Sequence, residues 1–172
     1  MGTHDHLERL WAPYRMAYVT GESAAGRENG SCPLCTIPDM PDDESLVVAR
    51  GTTGYAVLNL HPYNPGHLMV LPYRHVAGYE DLTESESAEV TSLTQDAIRA
   101  IREVADPHAF NIGMNLGGVA GGSLADHLHQ HVVPRWSGDA NFMTLIADTK
   151  VMPQLLADTR SLIEASWPSS IT

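Results

Sequence analysis

The stretch Asp126-His-Leu-His-Gln-His-Val-Val-Pro-Arg135 decides how the rest of this chain is interpreted, because three histidines alternate within it. Alternate residues of a β-strand point to the same face, about 6.6 Å apart at roughly 3.3 Å per residue. A strand here would line one surface with the imidazoles of His127, His129 and His131. Each ring can act as nucleophile, proton donor or metal ligand near neutral pH. A surface cluster that only scavenges metal is the alternative, but the strand-like flanks favour a built site.

The composition of the chain narrows the classes of protein to which it can belong. Its 172 residues, 43% of them hydrophobic, suffice for one globular domain with a core. The net charge of −11 argues against nucleic-acid binding, which requires a basic surface. No apolar run has the length of a transmembrane helix and no secretory signal is visible, so we expect a cytoplasmic protein with no membrane partner.

Local patterns predict an α+β protein with an antiparallel β-sheet of about five strands and two main helices. A capping box at Thr83-Glu-Ser-Glu86 begins the first helix, whose apolar residues recur at helical spacing until Pro107. The second predicted helix covers residues 151–166. The predicted strands are bounded by turn residues and lie at 46–49, 55–60, 67–71, 110–116 and in the histidine stretch itself.

The two cysteines of the chain, Cys32 and Cys35, form a Cys-Pro-Leu-Cys motif. Thiols at this spacing fit half of a zinc site, a redox pair or two plain thiols. A redox pair would be expected to open a helix, and the sequence that follows, Thr36-Ile-Pro-Asp-Met-Pro41, does not look like one. We therefore favour zinc over redox chemistry for this motif.

With the strand placed, the histidine stretch resembles the signature of the histidine triad family of nucleotide hydrolases and transferases, His-φ-His-φ-His-φ-φ, where φ is apolar. Two upstream segments are similar to family elements in the right order. Residues 59–70 contain a Pro-Gly-His motif, and Pro72-Tyr-Arg-His75 resembles the Pro-Lys-x-His segment. The resemblance covers about residues 32–136. Gln130 departs from the pattern, but in a strand it would face away from the imidazoles.

The resemblance implies the histidine triad fold for residues 32–136, with the sheet extended by formation of a homodimer. Residues 1–31 would then be an N-terminal extension and mobile loop, and residues 137–172 a C-terminal segment and helix packed on the same domain. The helix from Glu84 to Val104 could form the dimer interface, although packing on the core explains its apolar stripe equally well.

The resemblance also assigns catalytic roles. His129 matches the central histidine, the nucleophile that attacks an α-phosphorus and becomes nucleotidylated. His131 would hydrogen-bond a phosphate oxygen or the bridging oxygen, and Ser123 could bind phosphate or protonate the leaving group, unless it is only a turn serine. No catalytic metal cluster is evident, so imidazoles and backbone amides would stabilise the charge. The other candidates for nucleotide or phosphate binding, for which a satisfied polar group or a simple turn is the alternative, are Asn59, His67, Asn115, Gly121, Gly122 and Arg135.

In relatives that carry zinc, the ligands are a Cys-x-x-Cys pair, the histidine of the Pro-x-x-His segment and the first histidine of the triad. The matching residues here are Cys32, Cys35, His75 and His127. Two thiolates and two imidazoles suit a closed, tetrahedral structural zinc site. A histidine held in this way could not also act as a general acid.

Weaker motifs at residues 9–15, 121–123 and 134–142 are similar to those of the actinobacterial diadenosine tetraphosphate phosphorylase type within the family. The resemblance therefore implies cleavage of diadenosine tetraphosphate at the α-phosphorus, with release of ATP and transfer of AMP from His129 to inorganic phosphate as ADP. Two alternatives stay open. One is a hydrolase of dinucleoside polyphosphates or nucleoside phosphoramidates that uses water, and the other is a nucleotide-binding sensor with weak turnover.

Overall fold

The computed structural model describes residues 32–120, 124–139 and 152–169. Over these residues the main elements follow the predicted order β-β-β-α-β-β-α. The strands are β1 (Val47–Arg50), β2 (Gly54–Leu58), β3 (Leu68–Pro72), β4 (Ala109–Met114) and β5 (Gln130–Arg135), and the helices are α1 (Pro33–Thr36), α2 (Asp42–Ser45), α3 (Glu84–Ala105) and α4 (Leu156–Ala165), with 3-10 turns at Ile37–Asp39, Tyr79–Asp81 and Gly118–Ala120. The predicted N-terminal extension, residues 1–31, lies outside the described residues.

The five strands form one antiparallel sheet in the order β1-β2-β3-β5-β4, which confirms the predicted fold class. Strand β5 lies between β3 and β4, so its side chains are placed near the middle of the sheet. His131 pairs with Met69 on one side and with Gly113 on the other. The sheet thus presents the third histidine of the triad from an interior strand.

Different layers cover the two faces of the sheet. Strands β2 and β3 are buried at every position, which is the reason that they are continuously apolar rather than alternating. On one face the sheet packs against α3 and α4, with Ala97 and Ile163 fully buried. On the other face Leu34 of α1 packs against Tyr55 and Leu71. Both helices of substantial length therefore lie on one side, and the second face is left for the histidines.

Helix α3 begins with the predicted capping box. The Thr83 hydroxyl accepts from the Glu86 N–H, and the Glu86 carboxylate accepts from the Thr83 N–H. The helix ends at Ala105, ahead of Pro107, and its apolar stripe is buried in the core. Because the core uses this stripe, α3 is a poor candidate for a dimer interface. Within the described ranges, no helix combines the length and apolar character needed to cross a bilayer.

Helix α4 is shorter than the sequence predicted, since it begins at Leu156 rather than at residue 151. Pro153 accounts for part of the difference, because a proline disfavours helical geometry in the residue before it. The helix contacts α3 and β1, and Ile163 joins the helix-side core. The C-terminal helix therefore packs on the same domain as the sheet.

Candidate active site and metal centre

The histidines of the triad lie across the start of β5 rather than within it. Strand β5 begins at Gln130, because the Leu128 N–H donates to the Val76 carbonyl (2.6 Å) and not to a strand of the ladder. The expectation that one strand would align all three imidazoles is therefore wrong. The rings of His129 and His131 meet edge to face at 5.0 Å, whereas His127 contacts the cysteines.

Gln130 marks which face of the sheet carries the histidines. Its side-chain amide donates to the Thr94 hydroxyl of α3 at 2.6 Å. Since neighbouring residues of a strand point to opposite faces, His131 points away from the helices. Gln130, which departs from the family pattern, therefore contacts α3 and does not disturb the imidazoles.

The tautomer of the neutral His129 ring is set by the backbone. Its Nδ1 lies 2.8 Å from the carbonyl oxygen of His127, and a carbonyl oxygen can only accept. Nδ1 therefore carries the ring proton, and the lone pair is on Nε2. The residue is buried, which shelters this nitrogen from bulk water. His129 thus has the form that a nucleophilic imidazole requires.

Two consecutive hydrogen bonds, which pass through His67, set the tautomer of His131. The Tyr63 N–H donates to His67 Nδ1 at 3.1 Å, so His67 carries its proton on Nε2. That nitrogen lies 2.9 Å from His131 Nδ1 and donates to it, which leaves the His131 proton on Nε2. Burial, with a smaller contribution from His129, lowers the pKa of His131 to about 4. His131 is therefore a neutral ring with one N–H to donate.

The remaining candidates for nucleotide binding lie at different distances from these rings. The Asn115 amide is 3.5 Å from His131 Nε2, so it borders the site. The Asn59 side chain accepts from the His61 N–H at 2.8 Å, and its backbone N–H donates to the His67 carbonyl at 2.9 Å. Three further candidates lie outside the described residues, namely Gly121, Gly122 and Ser123.

Arg135 has a different environment from the one that a phosphate ligand would need. It lies at the far end of β5, four residues or about 13 Å from His131. Its guanidinium binds both carboxylate oxygens of Asp139, at 2.6 and 3.0 Å, and donates to Asn111 at 2.7 Å. This geometry disfavours Arg135 as a contact to the nucleotide, a role that stays a prediction, and we do not include it in the proposed site.

Two thiols and two imidazoles converge beside the triad, and we call Cys32, Cys35, His75 and His127 the ligand cluster. Their ligand atoms all lie within 4.8 Å of one another. The His127 Nδ1 is 3.4 Å from each sulfur, and the His75 Nδ1 is 3.3 Å from Cys35. A tetrahedral zinc with Zn–S bonds of about 2.3 Å and Zn–N bonds of about 2.0–2.1 Å separates S and N ligands by about 3.6 Å. The four residues therefore fit a zinc ion.

The protonation of His127 agrees with this fit. Its Nε2 lies 3.0 Å from the Pro72 carbonyl oxygen and must donate to it, so the lone pair is on the Nδ1 that faces the sulfurs. Burial is the main cause that lowers the pKa of His127, which keeps the ring neutral as a ligand requires. The Cys-x-x-Cys motif also opens a helix, contrary to the sequence expectation. Pro33 is the first residue of α1, a position that suits proline.

Two contacts around the site carried no recognisable signal in the sequence. Tyr63, in a Pro/Gly-rich turn, stacks on His67 with ring centroids 4.8 Å apart and lies 5.8 Å from the His131 ring. Arg74, next to the candidate ligand His75, binds the Glu86 carboxylate through two nitrogens at 2.9 and 2.7 Å. That bridge ties the loop after β3 to the first turn of α3.

Comparisons with known proteins show the family to which the chain is similar. A model of the HIT domain matches residues 41–138, a range that includes the triad and His75 but not the two cysteines. A Mycobacterium tuberculosis protein named AP-4-A phosphorylase is 58% identical over 171 residues, which is 97% of this chain and 88% of that protein. A Schizosaccharomyces pombe bis(5'-nucleosyl)-tetraphosphatase [asymmetrical] is 36% identical over 95 residues, covering 55% of this chain and 52% of its own.

Solved structures with a similar fold are also histidine triad proteins. A zinc-bound histidine triad family protein from Mycobacterium smegmatis is 26% identical, with a TM-score of 0.64 over 80% of this chain and 93% of its own. A histidine triad nucleotide-binding protein from Sulfolobus tokodaii has the same fold, with a TM-score of 0.63 over 78% of this chain and 91% of its own at 23% identity. The matched domain, the 58% identical relative and the three alternating histidines together show that the chain belongs to the HIT domain family, that of the histidine triad proteins.

Proposed function

We propose that this protein cleaves diadenosine tetraphosphate and transfers the AMP moiety to inorganic phosphate. In the first step His129 Nε2 attacks an α-phosphorus, the bond to the bridging oxygen breaks, and ATP leaves. In the second step a phosphate oxygen attacks the same phosphorus, the P–N bond breaks, and ADP forms. The relative that is 58% identical over 97% of this chain is named for this substrate and supports the choice.

The observation that carries the proposal is the hydrogen bond from His129 Nδ1 to the His127 carbonyl at 2.8 Å. It leaves the lone pair on Nε2 before substrate arrives, so the nucleophile needs no tautomer change or proton transfer to act. The bond also stabilises the positive charge that the ring acquires when Nε2 bonds to phosphorus. A free imidazole in water lacks both advantages.

His131 supports the departure of ATP in this scheme. Its Nε2–H, fixed by the hydrogen bonds through His67, can donate to a phosphate oxygen or to the bridging oxygen. Because its pKa lies near 4, His131 is neutral at pH 7 and offers a single N–H, at Nε2, as a hydrogen-bond donor. Asn115 borders the same nitrogen and is a second candidate contact to phosphate. We keep Asn59 as a candidate for the ribose and Ser123, Gly121 and Gly122 as candidates for phosphate.

The acceptor is tested by analysing the products. Diadenosine tetraphosphate is incubated with the protein at increasing inorganic phosphate, and the nucleotides are separated. We expect ATP and ADP at a rate that depends on phosphate, with labelled phosphate recovered in the β position of ADP. ATP with AMP, at a rate indifferent to phosphate, would identify a hydrolase instead. Binding of the dinucleotide with no turnover would favour a sensor.

We also propose that the ligand cluster holds one structural zinc. Its two thiolates and two neutral imidazoles would complete a tetrahedral shell, and the zinc-bound relative from Mycobacterium smegmatis supports this metal. Elemental analysis of protein purified without added metal should give about one zinc per chain, and less than about a tenth of an equivalent would refute the site. Reduced thiols of this kind suit the cytoplasm, where we place the protein.

The proposed homodimer has a better candidate interface than α3. Strand β4 is an edge strand of the sheet that the described residues form, and all six of its residues, from Ala109 to Met114, are exposed or half-buried. Ile112, on this strand, is 48% exposed. An edge strand with exposed apolar side chains is a template for pairing with another chain. Pairing of two β4 strands would extend the sheet across a two-fold axis.

A further inference from the structure

The segment that carries the nucleophile is not held by the sheet. The pairing of β3 with β5 stops at Val70 and Gln130, and Gln130 is the residue that follows His129, so His129 lies just outside the ladder. The position of His129 therefore depends on contacts that the residues just before β5 make outside the ladder. One of those residues, His127, is a member of the ligand cluster, and the next, Leu128, bonds to Val76, which directly follows the cluster residue His75.

His127 is a member of the ligand cluster, and its backbone is also hydrogen-bonded to the nucleophile His129. Its ring presents Nδ1 to the two sulfurs, while its carbonyl oxygen accepts the Nδ1–H of His129. A rotation of the peptide that follows His127 would move this oxygen away, so the Nδ1–H of His129 would lose its hydrogen-bond acceptor. The tautomer of the nucleophile is thus set by the backbone of a candidate metal ligand.

The second link runs through the loop after β3. The Leu128 N–H donates to the Val76 carbonyl at 2.6 Å, and Val76 directly follows His75, the other imidazole of the cluster. The rings of His75 and His127 lie at right angles with centroids 5.2 Å apart. A metal ion bound by both rings would hold the two segments at the separation at which this hydrogen bond forms.

We propose that the ligand cluster is a positioning device for His129, so that metal occupancy controls kcat and leaves substrate affinity nearly unchanged. The inference rests on the proposed function of His129 as nucleophile. Without a shared metal, only weak sulfur–imidazole contacts of 3.3–3.4 Å and the bond from His127 Nε2 to the Pro72 carbonyl restrain the cluster, so the peptide after His127 is freer to rotate. A misplacement of the attacking atom by about 1 Å costs about a hundredfold in rate. The His131 and His67 pair lies in β5 and beside β3, so its contacts to phosphate persist.

The test compares zinc-loaded protein with chelator-treated protein whose zinc content has been measured. We expect kcat for diadenosine tetraphosphate to fall about 10- to 100-fold in the chelated form and to return on adding zinc or cobalt, with KM changed by less than about threefold. Long-range proton–nitrogen spectra of the His129 ring should show one tautomer, unprotonated at Nε2, in the loaded form and a mixture in the chelated form. Equal kcat and equal ring spectra in both forms would overturn the proposal.

Two variants keep this test independent of folding. Cys35→Ser weakens the cluster without removing an imidazole and should lower kcat in proportion to lost zinc, even if full chelation unfolds the chain. Ile101→Ala truncates a core side chain on the helix side, away from the cluster, and should lower the melting temperature while kcat is retained. A fall in kcat of equal size in both variants would show that the cluster affects kcat only through the general stability of the fold, which would overturn the proposal. Loaded wild-type protein that does not cleave the dinucleotide would refute the proposed function, whereas the ring spectra still test the link.

Discussion

Acidification should destabilise the folded chain through His131. The ring contacts His67 and His129 and lies near Tyr63 and Asn115, a set in which no side chain is an acid. Burial, and to a smaller extent His129, lowers its pKa from the ordinary value of 6.5 to about 4. The unfolded chain therefore takes up a proton as the pH falls through about 6.5, whereas the folded chain resists it until about 4.

The sign and size of the effect follow from that difference. Stability is unaffected by His131 above about pH 6.5, falls as the pH drops to about 4, and is constant below it. The full shift corresponds to an upper bound of about 3–4 kcal/mol, at about 1.4 kcal/mol per pKa unit. Because the ring is only partly buried, solvent screening reduces the loss, and we expect about 1–2 kcal/mol between about pH 7 and pH 4.5.

Urea unfolding of the wild type and of His131→Gln, followed at several pH values in that range, measures this loss. Both proteins carry the same ligand cluster and the same carboxylates, so the effects of metal release and of carboxylate titration cancel in the difference. We expect the stability of the wild type to fall more steeply with acid, by the amount given above. Parallel curves for the two proteins would show that His131 titrates normally and would refute the buried, neutral ring.

Three other predictions concern the nucleophile, an excluded residue and the assembly. Replacing His129 by Ala should lower turnover at least about a thousandfold, measured by release of ATP, and near-normal turnover would rule out its role. Arg135→Ala should leave KM for phosphate unchanged and cost at most about 1 kcal/mol of stability in denaturant unfolding, because its ion pair with Asp139 is partly exposed; a large rise in KM would return Arg135 to the site. Light scattering at micromolar concentration should give a dimer, and a mass near the 18.7 kDa of one chain would contradict this.

Local patterns predicted the fold well because its elements obey local rules. Thr83 and Glu86 form the capping box that the sequence indicates, and the continuously apolar strands β2 and β3 are buried on both faces. The family pattern likewise identified a ligand cluster whose four members lie together in space. These features depend on a few residues close in sequence, or on a motif that fixes their partners.

The parts that sequence could not predict depend on contacts between distant segments. The start of β5 at Gln130 is set by the bond from Leu128 to Val76, a loop more than fifty residues away in sequence, so strand periodicity alone extended the strand too far. Arg135 was a candidate phosphate ligand because of its guanidinium, and the sequence did not reveal that Asp139 engages it on one side and Asn111 on the other. The tautomers of the rings are set by backbone carbonyls and amides, which a pattern of side chains does not reveal.

The central claim, that His129 becomes covalently nucleotidylated, can be measured directly. Zinc-loaded protein is mixed with diadenosine tetraphosphate without phosphate, quenched, and examined by intact-protein mass spectrometry and peptide mapping. We expect a mass increase of one AMP on the peptide that contains His129, its absence in His129→Ala, and its discharge as ADP when phosphate is added before the quench. Full turnover with no adduct at any quench time, or an adduct on a different residue, would contradict it.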